Sequence, residues 1–161
     1  MDGTKNNTLD LEFDGLIEKA SLWFVERYIK ISLSGTPLTK KQLVIASKVG
    51  VKSPDRIRIL SLPEYNFHKD YSFCHLSAFE TLPLINFNRS QSVIYKYGLV
   101  MQNNAHMSNG ELAELFRFIS FYEGFGSIKI FLSLYLRSVY NFGWEKNPFN
   151  ADAKLTGMTY Q

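Results

Sequence analysis

The sequence predicts an α+β fold in which a small sheet packs on helices around one central buried helix. Helical periodicity recurs in separate segments, whereas two short apolar segments have the composition of strands. The segment 110–123 carries large apolar side chains on two faces, which is typical of a helix lying between a sheet and another layer. With 161 residues, the chain has the length of about one domain. We assign residues 10–161 to it and expect residues 1–9 to be a flexible N-terminus.

The first half of the chain contains two predicted helices. In "LIEKASLWFVERYIKISL", residues 16–33, apolar side chains recur at steps of three and four, which predicts an amphipathic helix that ends at "SGTP". Thr39 then stands three residues before Gln42, which is a capping-box arrangement. The helix that it starts runs to Gly50, a residue suited to the left-handed conformation beyond a helix end.

Two strands are predicted next. "RIRILSL", residues 56–62, places Ile57 and Ile59 on one side and Leu60 on the other, so we expect a strand largely covered on both faces and ended by Pro63. "SVIYKYGLVMQ", residues 92–102, predicts a second strand interrupted at Gly98, where a bulge or a close backbone approach is expected. Between them, residues 65–88 show no usable period.

The central helix, predicted at about 110–123, is followed by a second helix at about 128–141. Ser108 or Asn109 caps the first, Glu111 lies in its first turn, and Gly124 is expected to end it. Two apolar stripes run along this helix: Leu112, Leu115, Phe116, Ile119 and Tyr122 form one, and Phe118, Phe121 and Phe125 form the other. The second stripe therefore needs cover from another part of the protein. The C-terminal segment from residue 144 receives no predicted element.

Charge and cysteine content limit the possible partners and the cellular compartment of the protein. Eighteen Lys and Arg against 15 Asp and Glu give a net charge of +3, which is too small and scattered to indicate a polyanion partner by itself. Cys74 is the single cysteine, so no internal disulfide is possible and a reducing compartment is expected. The N-terminal segment has no signal-peptide core, and no window approaches the apolar length of a membrane span. We expect a cytoplasmic protein, while secretion without a cleaved signal stays open.

The strand with "YGLVM", the buried helix, the short glycine turn, the next helix and the final "NPFNADA" together resemble small zincin-type metallopeptidase-like proteins of the gluzincin kind. In those proteins the helix carries a pattern such as "AHELVHVAQYERLGGIEAFLRQYL", followed by "NPLExEA". The segment "AELFRFISFYEGFGSIKIFLSLYL" keeps several of these residues, namely Ala113, Tyr122, Glu123, Phe131, Leu132, Tyr135 and Leu136. The likeness spans about residues 34–153 and implies a zincin-like fold.

The residues that would carry zincin chemistry are replaced. A zincin places two histidines four residues apart so that both bind one Zn²⁺, and a glutamate between them acts as general base. The string Glu114-Leu115-Phe116-Arg117-Phe118 puts Glu114 and Phe118 at the two histidine positions and Leu115 at the base position. Asn150 and Asp152 occupy the acidic positions after "NP".

We therefore expect a degenerate site with no metal, cofactor, catalytic residue or peptidase activity. The histidines show no ligand spacing: His68, His75 and His106. Taken alone, "ELFRF" also fits an ordinary buried helix.

The leading hypothesis is a catalytically inactive zincin-like protein that binds another protein, as an effector or inhibitor acting on a host or rival protein. It would use the former cleft or an aromatic surface formed by Tyr65, Phe67, Tyr71, Phe73, Phe79 and Phe87. One alternative is a nucleic-acid-binding module built on the basic segment 40–58, with Lys40, Lys41, Lys48, Lys52, Arg56 and Arg58. The other is an enzyme of unrecognised type, although no serine–histidine–aspartate set, phosphate loop or paired carboxylates stand out.

Overall fold

The computed structural model describes residues 3–63, 92–102, 107–143 and 145–161, with side chains omitted for residues 3–9 and 93. Within these ranges the chain forms five α-helices and four strands, so the predicted α+β class is confirmed. The helices are α1 (Gly3–Ser34), α2 (Lys40–Val49), α3 (Asn109–Phe125), α4 (Ile128–Phe142) and α5 (Pro148–Thr159), with a 3₁₀ turn at Pro54–Arg56. The strands are β1 (Thr36–Pro37), β2 (Arg58–Leu62), β3 (Ser92–Tyr95) and β4 (Gly98–Gln102).

The strands form one mixed sheet with the order β1-β2-β4-β3. β2 and β4 are parallel, with Arg58 opposite Gly98 and Leu62 opposite Gln102, whereas β1 and β3 pair antiparallel with their neighbours. The parallel pairing of β2 with β4 brings the two halves of the chain together in the middle of the sheet.

The sheet separates two hydrophobic clusters. On β4, Val100 belongs to the cluster built mainly from α1 and α4, whereas the adjacent Leu99 belongs to the cluster built from α2 and α3. Successive side chains of a strand point to opposite faces, which explains this division. The side chain of Phe118 on α3 packs against both clusters, so this helix has the central position that its two apolar stripes predict.

Most helix ends follow the predicted local chemistry. At α2, Thr39 and Gln42 form both hydrogen bonds of the capping box, and Gly50 adopts the left-handed conformation with φ 104°. At α3, Ser108 and Glu111 form a second capping box. The end of α3 was predicted at Gly124, whereas the helix continues to Phe125 and ends on left-handed Gly126, φ 73°. Gly126, and not Gly124, is therefore the glycine that ends this helix.

The segment 92–102 corrects the prediction of a single interrupted strand. It forms a β-hairpin with a two-residue turn at Lys96 and Tyr97, and Lys96 takes a positive φ of 54°. Glycine or asparagine normally supplies such a turn, so the residues at this turn did not signal it. The expected close approach at Gly98 is confirmed, because a Cβ there would lie 2.8 Å from Cδ1 of Ile31.

Three further elements differ from the sequence-based prediction. α1 begins at Gly3 rather than near residue 16, and the flexibility expected for residues 1–9 stays a prediction. β2 is less covered than expected, because Ser61 is exposed and the other residues of the strand are half-buried. α5 was not predicted at all, although Asn147 followed by Pro148 is a helix-start signal.

Candidate functional site

The predicted degenerate site lies where α3 and α5 pack against each other in opposite directions. Near the start of α3, Gly110 approaches Gly157 so closely that a Cβ on either residue would lie 2.7 or 2.8 Å from the carbonyl oxygen of the other. Toward the end of α3, the ring of Phe121 contacts that of Phe149 with a centroid distance of 5.3 Å. The start of α3 thus contacts the end of α5, and the end of α3 contacts the start of α5, so the two helices are antiparallel.

α5 is held in place by a fully buried cap residue, Asn147. Its Oδ1 accepts hydrogen bonds from the backbone N–H groups of Phe149 and Asn150, at 2.8 and 3.3 Å. Its Nδ2 donates to the backbone carbonyl of Tyr135 on α4 at 3.3 Å. One amide side chain therefore fixes the start of α5 against α4, because all its polar atoms are engaged and a buried amide is costly to leave unpaired.

Glu114, at the first histidine position of the zincin pattern, is half-buried against α5. Its Oε2 lies 3.5 Å from the position that a Cβ on Gly157 would take. Leu115, at the base position, is half-buried against the cluster that α2 and α3 form. The side chain at the base position is thus apolar and part of the core.

Phe118, at the second histidine position, lies among aromatic rings. It makes edge contacts with Phe121 and with Tyr135 of α4, at centroid distances of 6.0 and 6.2 Å. Phe121 in turn stacks on Phe131 of α4 at 6.2 Å. Rings of α4 and α5 therefore cover Phe118 and Phe121 of the second apolar stripe, whereas Phe125 at its end is exposed.

Asn150 and Asp152, at the two acidic positions of the pattern, have separate partners. Asn150 accepts a hydrogen bond through Oδ1 from the Tyr135 hydroxyl at 3.1 Å. Burial, opposed by this hydrogen bond, raises the pKa of Tyr135. Since Phe118 and Asn150 both contact Tyr135, the second histidine position and the first acidic position lie next to the same side chain.

Asp152 forms a two-point ion pair with Arg117 of α3. Nε of Arg117 donates to Oδ1 at 2.7 Å and Nη2 donates to Oδ2 at 3.2 Å. The hydrogen bonds from Arg117 lower the pKa of Asp152 below its ordinary value, and the same pairing raises the pKa of Arg117. Arg117 and Asp152 therefore neutralise each other across the contact between α3 and α5.

Several residues considered in the sequence analysis lie outside the part of the chain that the structure describes. His68, His75, His106, Cys74 and the whole predicted aromatic surface from Tyr65 to Phe87 lie outside the described residues. Among the residues that are described, no group of three His, Cys, Asp or Glu side chains could hold a metal ion. In the same ranges, no helix combines the length and hydropathy needed to cross a membrane. The absence of a metal and the identity of a binding surface both stay predictions.

Sequence reasoning missed a second cluster of polar residues, centred on Glu123 near the end of α3. Its carboxylate accepts hydrogen bonds from the backbone N–H groups of Lys52 and Ser53, at 2.6 and 2.9 Å, and from the Tyr97 hydroxyl at 2.9 Å. Burial and the bond to Glu123 raise the pKa of Tyr97 to about 12, against an opposing effect of Arg56. The sequence feature that could have indicated this cluster was a carboxylate in the last turns of a helix predicted to be buried.

The basic segment is divided between two places. Lys40, Lys41 and Lys48 are exposed on α2. The Arg56 guanidinium lies over the Tyr97 ring, with 4.3 Å from Cζ to the ring centroid, and Nζ of Lys96 lies 5.5 Å from the Tyr28 ring centroid. The two tyrosine rings are 6.0 Å apart, so these residues form one cation–tyrosine cluster: Tyr28, Arg56, Lys96 and Tyr97.

Comparison of the chain with protein-family models, with curated proteins and with solved structures found no match. The zincin resemblance therefore depends on the residues quoted above.

Proposed function

We propose that the chain is a catalytically inactive zincin-like protein that acts by binding another protein. The observation that carries this proposal is the α3–α5 contact. The positions that correspond to zincin ligands, Glu114, Phe118 and Asn150, lie along one antiparallel pair of helices. The zincin pattern takes two ligands from the buried helix and the third from the acidic residues after "NP". The contact between α3 and α5 therefore supports a shared backbone arrangement, which we call the zincin-like frame.

The side chains now at the site favour a structural role over a catalytic one. Phe118 is packed among rings, Leu115 is part of the core, and the amide oxygen of Asn150 is bound by Tyr135. No group at the base position can take a proton from water, because leucine carries no titratable atom. A zincin-like frame without its reactive groups could still bind another protein. The partner that we propose is a host or rival protein.

The proposed frame is tested by restoring the ligands. The variant Glu114→His, Phe118→His and Asn150→Glu provides two imidazoles one helical turn apart on α3 and a carboxylate on the neighbouring helix α5. We expect it to bind about one Zn²⁺ per chain and to unfold at a higher temperature with zinc than without. The matched control carries both histidines with Ala151→Glu in place of Asn150→Glu, because Ala151 is exposed on the same helix. Equal zinc binding by the two variants would contradict the frame.

The proposed binding role is tested separately. Affinity capture with the wild-type chain is compared with capture by a variant in which the six predicted surface aromatics, Tyr65 to Phe87, are replaced by serine. We expect the wild-type chain to retain at least one protein that the variant loses, while both give the same circular dichroism spectrum. Hydrolysis of a peptide by the wild-type chain that a chelator abolishes would contradict the proposal.

Nucleic-acid binding is a second candidate, favoured by the cation–tyrosine cluster. Arg56 and Lys96 contact tyrosine rings, and neither pairs with a carboxylate in the described ranges. Cations beside aromatic rings are a common arrangement in proteins that bind single strands. If this role holds, Arg56→Gln and Lys96→Gln each weaken binding of single-stranded RNA and reduce its salt dependence. Lys154→Gln, an exposed cation on α5, is the control, and no binding at low salt would remove this candidate.

A further inference from the structure

The outer face of α1 carries a row of exposed apolar side chains. The buried residues of α1, among them Phe13, Ala20 and Phe24, face the core. On the opposite side, at 100° of rotation per residue, lies a row that we call the outer stripe: Leu11, Leu22, Val25, Ile29 and Leu33. Leu22 and Leu33 are 66% and 82% exposed. Isolated exposed apolar residues are ordinary, whereas a row along one helix face indicates an interaction surface.

The spacing of the outer stripe is that of a coiled-coil seam. From Leu11 the row passes Gly15 and Glu18 to Leu22, Val25 and Ile29, in steps of four, three, four, three and four residues. Alternating steps of three and four are what a second helix needs in order to stay in contact with the first. At the Glu18 position, the carboxylate is held by an ion pair with Lys129 of α4.

Gly15 adds an independent observation at the seam. Glycine weakens a helix interior relative to alanine, and a Cβ at Gly15 would have nothing within 4 Å. No close contact with the described part of the chain therefore requires a glycine there. A second helix crossing at this point would use the open space.

The charges beside the outer stripe indicate which helix would fit. Lys19 and Glu26 are seven residues apart, so they lie on the same flank of the stripe, and neither has an ion-pair partner among the described residues. In an antiparallel pair of α1 helices whose two-fold axis passes between Leu22 and Val25, each Lys19 faces Glu26 of the other copy. The same register places Leu22 against Val25 of the other copy and Ile29 against Glu18 of the other copy. The flanking charges and the central Leu22–Val25 contacts are thus self-complementary.

We propose that two copies of this chain form a two-fold symmetric dimer through antiparallel packing of their outer stripes. The occupant of the α1 face is a second copy rather than an unrelated protein, because Lys19 and Glu26 then pair with each other across the contact. This inference is independent of the zincin-like frame, since the outer stripe faces away from the core.

The test measures the dimer dissociation constant by sedimentation equilibrium for four forms of the chain. Lys19→Glu and Glu26→Lys each create two like-charge contacts, so each is expected to weaken the dimer about tenfold. The double variant restores both opposite-charge contacts and should return to within about threefold of the wild type. An equimolar mixture of the two single variants should form the heterodimer as tightly as the wild type forms its homodimer.

A second pair of variants tests the apolar part of the contact. Ile29→Glu is expected to weaken the dimer about a hundredfold, because it removes an apolar residue from the seam and places a second carboxylate against Glu18 of the other copy. Leu155→Glu on α5, where Leu155 is also exposed at 67%, should leave the dimer unchanged. A wild-type chain that stays monomeric at all concentrations would overturn the proposal. So would a dimer that tolerates both Ile29→Glu and the single charge reversals.

Discussion

At the residue scale, Glu123 joins segments that are far apart in the sequence. Its carboxylate binds the loop after α2 through two backbone N–H groups and binds the β3–β4 turn through the Tyr97 hydroxyl. The Ser53 N–H and the Tyr97 hydroxyl are partly buried, whereas the Lys52 N–H is exposed. Losing the acceptor would therefore leave two partly buried donors unpaired, which carries a desolvation cost. Glu123 therefore stabilises the end of α3 against both halves of the chain.

Replacement of Glu123 by glutamine should lower the free energy of unfolding by about 1–3 kcal/mol, because a single amide oxygen cannot serve three donors. Tyr97→Phe should cost about 1 kcal/mol for the same contact. Urea unfolding of the two single variants and the double variant measures their coupling, which we expect to exceed about 0.5 kcal/mol. Asp55→Asn, in the exposed part of the same loop, is the control, and strict additivity would contradict a direct contact.

The pKa of Tyr97 gives a pH-dependent prediction. Burial first, then Glu123, raises the pKa from 10.0 to about 12 in the folded state, whereas an unfolded tyrosine titrates near 10. The contribution of the protonated phenol is therefore fully present below about pH 10 and is lost as the pH rises toward about 12. The stability difference between the wild type and Tyr97→Phe, measured by urea unfolding, should shrink across this interval. A difference that is constant with pH would show that Tyr97 titrates normally.

At the element scale, the predictable parts of the fold were those governed by neighbouring residues. The capping boxes at Thr39 and Ser108 and the left-handed Gly50 follow from chemistry within a few positions. α5 was missed because it buries small residues, Ala153 and Gly157, and so lacks an apolar stripe. The hairpin was missed because Lys96 supplies the left-handed turn conformation without a glycine or asparagine.

The candidate site was predictable only in part. The zincin pattern identified the positions on α3 and α5, but it could not show that Arg117 pairs with Asp152 or that Tyr135 binds Asn150. Those partners depend on how the helices pack. The acceptor role of Glu123 was hidden for a similar reason, since its partners at Lys52 and Ser53 lie about 70 residues away in the chain.

Gly110 and Gly157 test the packing of α3 on α5. Alanine normally favours a helix over glycine by up to about 1 kcal/mol, but at either position a Cβ would lie under 3 Å from a backbone oxygen. We expect Gly110→Ala and Gly157→Ala each to lower the free energy of unfolding by about 1–3 kcal/mol, because the helices must separate. Chemical denaturation provides the measurement.

The matched control is Gly124→Ala, also on α3, where a Cβ would meet nothing within 4 Å. It should leave stability unchanged or raise it by up to about 1 kcal/mol. Stabilisation by Gly110→Ala of the same size as by Gly124→Ala would contradict the close α3–α5 contact.

At the scale of the whole molecule, α3 connects the two hydrophobic clusters on either side of the sheet. One of its stripes packs with α2 and the sheet, and its aromatic stripe packs with α4 and α5. Under the proposed zincin-like frame, this second face is where an active zincin holds its metal ion, and aromatic rings take that place. Full burial of such a ring contributes about 1.5–3 kcal/mol to folding, and the half-buried Phe118 contributes less.

The central claim is that the positions corresponding to a zincin metal site now serve packing and recognition. The most direct test is elemental analysis of the purified wild-type chain after equilibration with Zn²⁺ and removal of the excess. The account predicts no stoichiometric zinc, because Glu114, Phe118 and Asn150 supply at most one carboxylate. About one zinc per chain would contradict it and would place the ligands elsewhere, with His75, His106 and Asp152 as the first residues to mutate.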